Sequence, residues 1–156
     1  MNELRQRPPL TVVVPPPIWA VLFLTTGWAA GRWLGLEPRV DADILAGALG
    51  LAGLSVATWG RLTFARAGTE VLPVSPANRV LVTHGPFAHT RNPMYLGLLL
   101  LTGGIAIWIG TITALAAPVV YFVFVNGISI PFEEAKMERQ YADRFSAYKA
   151  RVRRWL

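Results

Sequence analysis

From Tyr95 to Ile130 the chain runs for 36 residues without one charged side chain. As a single helix that run would measure roughly 54 Å at 1.5 Å per residue. The hydrocarbon core of a bilayer is only about 30 Å thick. The run must therefore double back, and a hairpin near Trp108-Ile109-Gly110-Thr111 divides it into two short helices. Two further apolar segments precede it. One spans about 18–36, with Pro15 to Pro17 fixing how the chain meets the interface; the other spans about 44–65. Ala46, Gly50, Gly53 and Ala57 give the second a small-residue face suited to close helix packing.

Composition supports a membrane reading. Apolar residues make up 53% of the 156 positions and charged residues 15%, against about 25% charge in a typical soluble domain. Six Trp, fourteen Gly and twelve Pro fit transmembrane helices and their interfaces. With no Cys there is no disulfide, thiolate nucleophile or Cys-ligated metal, and two His make a His-based metal site a poor expectation. No cleavable signal peptide is legible ahead of the first apolar run. The expected fold is all-α: one polytopic membrane domain over 1–156. Its transmembrane helices lie at about 18–36, 44–65, 95–109 and 112–130, joined by a loop over 66–94 and followed by a tail helix over 132–156.

The distribution of charge sets an orientation. Seven of the fifteen Lys and Arg follow residue 131: Lys136, Arg139, Arg144, Lys149, Arg151, Arg153 and Arg154. Arg5 and Arg7 precede the first helix, and Arg66, Arg79 and Arg91 fall between the second and third. The first connection carries only Arg39 among Glu37, Asp41 and Asp43. By the positive-inside rule both termini and the 66–94 loop face the cytoplasm. A basic tail on so apolar a chain suits anionic membrane lipids rather than nucleic acid. Snorkelling accounts for Arg32 and Arg61 near helix ends. In the tail, Met137, Tyr141, Phe145, Tyr148, Val152 and Trp155 recur at helical spacing and share one face. That face either lies on lipid headgroups or packs over the loop with its aromatics lining a site.

Chemistry-bearing residues gather in two places. In Arg91-Asn92-Pro93-Met94-Tyr95, Asn92 suits a helix N-cap and Pro93 the first helical position. The resulting helix end attracts a carboxylate or phosphate, and Arg91 adds a fixed positive charge beside it. Glu133-Glu134 stands just past the fourth apolar segment, and acceptor-only carboxylates suit ribose hydroxyls or an ammonium. The hairpin returns the fourth helix to the face where the third began, so the two groups converge although 38 residues separate Tyr95 from Glu133. A zwitterionic ligand with a ribose fits such a mouth. G-x-G-x-x-G after a strand and G-x-x-x-x-G-K-[ST] are both absent.

The ordered motifs carry a resemblance. Leu81-Val82-Thr83-His84-Gly85-Pro86-Phe87, Arg91-Asn92-Pro93-Met94-Tyr95-Leu96-Gly97, Glu133-Glu134 and Tyr148-Lys149-Ala150-Arg151-Val152 resemble the isoprenylcysteine carboxyl methyltransferases and the related phospholipid methyltransferases. The likeness covers about residues 68–156. It implies an integral membrane methyltransferase using S-adenosylmethionine from the cytoplasm and a lipophilic small-molecule or lipid acceptor from the bilayer. Carried over by motif, Leu81, Val82, Phe87, Asn92, Pro93, Met94, Tyr95 and Glu133 would line the cofactor site. Arg91 would bind the cofactor carboxylate or orient the acceptor, and Glu134 is the nearest base for an acceptor that must lose a proton. Two departures stand out: Asn92 replaces a His, and Ser129 occupies the place of an Arg thought to hold a substrate carboxylate. An acceptor with a neutral or amine-like reacting group follows from the second. Two other readings compete: an NADPH-dependent membrane reductase of similar architecture, and a non-catalytic membrane protein binding lipid or a partner through its basic tail.

Overall fold

The computed structural model describes residues 10–36, 42–68 and 80–156. Arg5, Arg7, Glu37, Arg39, Asp41 and Arg79, which carry part of the charge argument, lie outside them. The described residues form helices and turns, with no strand among them. In order they are α1 (Leu10–Val13), α2 (Pro16–Leu34), α3 (Asp43–Arg66), a 3-10 turn (Gly85–Ala88), α4 (Pro93–Ile109), α5 (Ile112–Leu115), α6 (Ala117–Phe124), a π-helical turn (Val125–Ser129) and α7 (Ile130–Arg151).

Two helical stretches are long and apolar enough to cross a membrane: α3, and the rod that α5, α6, the π turn and α7 build from Ile112 to Arg151. Both leave most of their apolar surface bare. Ile44 is 91% exposed and Leu51 69% on α3, and Trp108 at the hairpin is 74% exposed. A soluble core helix hides such side chains; here they point outward, as lipid-facing residues do. From Ile112 to the break at Ala142 the rod measures roughly 45 Å, longer than a hydrocarbon core of about 30 Å, so a span that begins at Ile112 ends before Glu133.

Backbone contact between α3 and α4 organises the interior. A Cβ on Gly53 would fall 2.5 Å from the Gly97 carbonyl and from the Leu101 amide. One on Gly97 would fall 2.5 Å from the Ala57 amide, and one on Gly104 2.6 Å from the Ala46 carbonyl. The small face read from Ala46, Gly50, Gly53 and Ala57 is thus met by glycines on α4, and dispersion between the two backbones holds the pair. One turn further along α3, Gly60 abuts Met94 and Pro93, which brings the Arg66 end of α3 level with the start of α4.

The expected hairpin is present. Gly110 ends α4 in the left-handed conformation (φ 77°), and the Thr111 hydroxyl caps α5 by accepting from the Ala114 amide at 3.2 Å. The Thr113 hydroxyl donates to the Gly27 carbonyl, fixing α2 to the turn. Where the sequence divides a fourth span from a tail helix near residue 131, the chain instead continues as one rod. Two features shape it. The π turn widens the helix and presents Asn126, and Ala142 breaks it with φ 40°. Ala142 is the only non-glycine at positive φ among the described residues, a conformation costing on the order of 1–3 kcal/mol.

The glycines should divide into two classes. Gly53→Ala and Gly97→Ala force the helices apart and should each cost about 1–3 kcal/mol. Gly47→Ala meets nothing within 4 Å and should be neutral or stabilising by up to about 1 kcal/mol. Thermal unfolding in detergent checks this, and equal shifts at all three positions would refute the backbone contact.

Candidate functional site

The end of the chain is strapped across the start of α4. Thr90, Arg91 and Asn92 hold three consecutive carbonyls of the tail. Arg91 Nη1 donates to Val152 at 2.7 Å and the Arg91 amide to Arg153 at 3.0 Å. The Thr90 hydroxyl and Asn92 Nδ2 both donate to Arg154, at 3.1 and 3.0 Å. Asn92 does occupy the N-cap position, but its side chain makes no capping bond; the tail carbonyl takes it instead.

Glu134 anchors this strap from α7. Its Oε1 accepts from Arg91 Nη2 at 2.8 Å and its Oε2 from Arg154 Nη2 at 2.5 Å. Asn126 completes the network, accepting from Trp155 Nε1 at 3.1 Å and from Arg154 Nη1 at 3.3 Å. Beyond the break at Ala142, α7 lies against the 3-10 turn: the Tyr148 hydroxyl donates to the Phe87 carbonyl at 2.7 Å. Phe87 in turn packs edge-on against Phe64 of α3, ring centroids 4.7 Å apart.

Under the strap opens a cleft of about 770 Å³, counting its open mouth. All ten residues singled out from the sequence line it: Leu81, Val82, Phe87, Arg91, Asn92, Pro93, Met94, Tyr95, Glu133 and Glu134. Met137, Phe145 and Tyr148 of the tail stripe line it too, while Trp155 turns to Phe122 and Asn126. Phe64 and Lys136 are lining residues that sequence reasoning missed. Arg154 and Asn126 were also missed as site-building residues, and no local spacing marks either one.

A second, more apolar cleft of about 1420 Å³, counting its open mouth, borders Tyr95 between the start of α2, α3 and α4. Pro16, Ala57, Arg61 and Leu98 are among its walls. Met94, Tyr95 and Glu133 line both clefts. The partition between them is therefore built by these three side chains, two of which are joined by a hydrogen bond from the Tyr95 hydroxyl to Glu133 Oε1 at 2.7 Å.

The paired carboxylates have opposite environments. Burial pushes the Glu133 carboxyl up to about 7; the bond from Tyr95 and the nearby Lys136 charge offset only part of that. Burial pushes Glu134 up as well, but hydrogen bonds from Arg154 and then Arg91 outweigh it and hold that carboxyl below its ordinary range. Glu134 is thus a fixed anion committed to two guanidiniums. Glu133 is a carboxyl that exchanges a proton near neutrality. Beside it, Ser129 is buried within hydrogen-bonding reach of Tyr95, and the fully buried Tyr121 hydroxyl has no partner among the described residues.

Comparison with known proteins bears on this arrangement. A family model described as phospholipid methyltransferase matches residues 42–144, from α3 through most of α7. The chain belongs to the phospholipid methyltransferase family. The match includes α4 and both carboxylates, so the two-cleft arrangement lies largely within the family's own region. An uncharacterised protein of Haemophilus influenzae is 35% identical over 63 residues, 40% of this chain and all of that relative. No solved structure matches significantly. Family membership and the outward apolar helices together make this a membrane protein of a methyltransferase family.

Glu134→Gln should release the strap. Removing one partner from a half-buried ion network costs on the order of 3 kcal/mol. Exchange at the Arg91 amide, which donates to the Arg153 carbonyl, and at the Val152 amide should accelerate while α3 and α4 keep their protection. Unchanged exchange at those residues would show that the ion network does not hold the tail.

Proposed function

We propose that the protein transfers a methyl group from S-adenosylmethionine to a membrane lipid. The cofactor occupies the cleft beneath the strap, and the acceptor occupies the more apolar cleft across Tyr95. The observation that carries this is the shared partition: one hydrogen-bonded carboxylate bordering two clefts of different polarity.

The residues of the first cleft fit the cofactor. Phe64, Phe87, Phe145 and Tyr148 offer aromatic surface for a purine ring. Glu133 offers a carboxylate to ribose hydroxyls or to a cation. The first turn of α4, where no side chain caps the helix, offers amides to a carboxylate. When bound, S-adenosylmethionine supplies a methyl group on a positively charged sulfur. The protein's part is then to align the acceptor, exclude water and remove a proton. Glu133 takes that last role in this proposal: it faces both clefts and ionises near neutrality, whereas Glu134 is held by two arginines. Tyr95 orients the carboxylate, and Arg91 acts through the strap, its guanidinium committed to Glu134 and Val152. Ser129 offers no charge to a carboxylate nucleophile, which favours an amine-like reacting group.

Four spans fit this scheme, with α2 and α4 completing the bundle around α3 and the first half of the rod. Both termini and the cofactor cleft then face the cytoplasm. The reductase alternative is not favoured: the family match is to methyltransferases, and Arg91 and Arg154, cations at the strap, are already paired with Glu134.

Titration calorimetry with S-adenosylmethionine tests the cofactor. Glu133→Ala and Tyr95→Ala should each weaken binding at least tenfold, about 1.4 kcal/mol, with helicity retained; unchanged affinity in both would sink the assignment. The proton acceptor has its own signature. Glu133 must be ionised to act, so kcat/KM should fall as pH drops below about 7 and level off above it. Glu133→Gln should lose most activity and that limb with it. A wild-type profile flat from pH 6 to 8 would move the base elsewhere.

A further inference from the structure

Arg61 is the one cation lining the second cleft, and it makes no hydrogen bond or ion pair among the described residues. Snorkelling explains why an arginine near a helix end points to the interface, but not why it borders the same cleft as Glu133. Its depth is informative. Arg61 lies five residues before the end of α3, roughly 7.5 Å along the axis at 1.5 Å per residue, and the neighbouring Gly60 abuts Pro93 and Met94. Arg61 is therefore level with the start of α4, close to the Tyr95–Glu133 partition. The remaining walls, Pro16, Pro17, Ala57, Thr58 and Leu98 among them, carry no charge. The walls of this cleft thus hold both a fixed positive charge, Arg61, and a titratable carboxylate, Glu133.

We propose that Arg61 is the residue that selects the acceptor, by binding the phosphate of a membrane lipid whose amine lies against Glu133. A guanidinium recognises phosphate through paired, charge-assisted hydrogen bonds. A phosphate joined to an amine complements a cleft lined by both a guanidinium and a carboxylate, while acyl chains leave along its apolar walls into the bilayer. This rests on the functional reading above and adds to it the residue that sets specificity. It also reassigns Arg61, which sequence position alone leaves as a helix-end anchor.

The test uses the full chain in detergent micelles and compares two amphiphiles bearing a primary amine, a dioleoyl ethanolamine phospholipid and oleylamine. Lipid retention is measured by native mass spectrometry, and methyl transfer from labelled S-adenosylmethionine is measured in parallel. Wild type should retain the phospholipid at least tenfold better than oleylamine. Arg61→Gln should bring that ratio near one, and Arg61→Lys should restore part of it, with cofactor affinity unchanged in both. A ratio unaffected by Arg61→Gln would overturn the proposal, as would equal retention of both amphiphiles by wild type. Water-soluble glycerophosphoethanolamine should not compete at lipid concentrations; if it competes equally, the site takes a free phosphoester and the lipid assignment is wrong. Retention is read without turnover, so wild type that selects the phospholipid but neither binds nor uses S-adenosylmethionine would refute the methyltransferase reading alone.

Discussion

A single carboxylate, Glu134, ties together three parts of the chain that are remote in sequence. It joins the start of α7 to Arg91 ahead of α4 and to Arg154 in the tail. An ion pair taken out of water gains little net stability, because desolvation offsets most of the attraction. Its weight lies in what happens when one partner moves: the charges left behind are unpaired and partly buried, so alternative tail positions are disfavoured. The strap is thereby held in one position. From that follow the placement of α7 over the 3-10 turn, the Tyr148–Phe87 bond and the roof of the first cleft.

Glu133 and Glu134 show how far environment outweighs residue type. They are adjacent on one helix, so their side chains leave it about 100° apart at 3.6 residues per turn. That rotation takes one toward two arginines and the other toward Tyr95 and the partition between the clefts. One carboxylate holds the architecture together, and its neighbour borders both clefts.

Much of this was legible because it follows from local periods and lengths. The 36-residue apolar run required a turn, Gly110 and Thr111 make it, and the turn brings Tyr95 to Glu133. The small face of α3 announced a close partner, and the glycines of α4 supply it. What stayed hidden depends on contacts between distant segments. Arg154, Asn126 and Trp155 meet only after the rod has bent at Ala142, and an alanine carries no sign that it will adopt φ 40°. Asn92 misled for a related reason: its side chain suits a cap, but a carbonyl 62 residues away competes for it and wins. The same limit applies to Glu134, whose adjacency to Glu133 says nothing about which of the two the arginines will hold.

The wall shared by the two clefts has a thermodynamic consequence. A charged ligand in either cleft would change the field at Glu133 and so the proton it carries. Occupancy of one cleft must then alter affinity in the other, and by linkage the factor is the same in both directions. A cation arriving on one side draws Glu133 toward its ionised form and expels a proton. Two such ligands would therefore bind as one proton-linked unit, in which the order of arrival alters the path but not the total free energy.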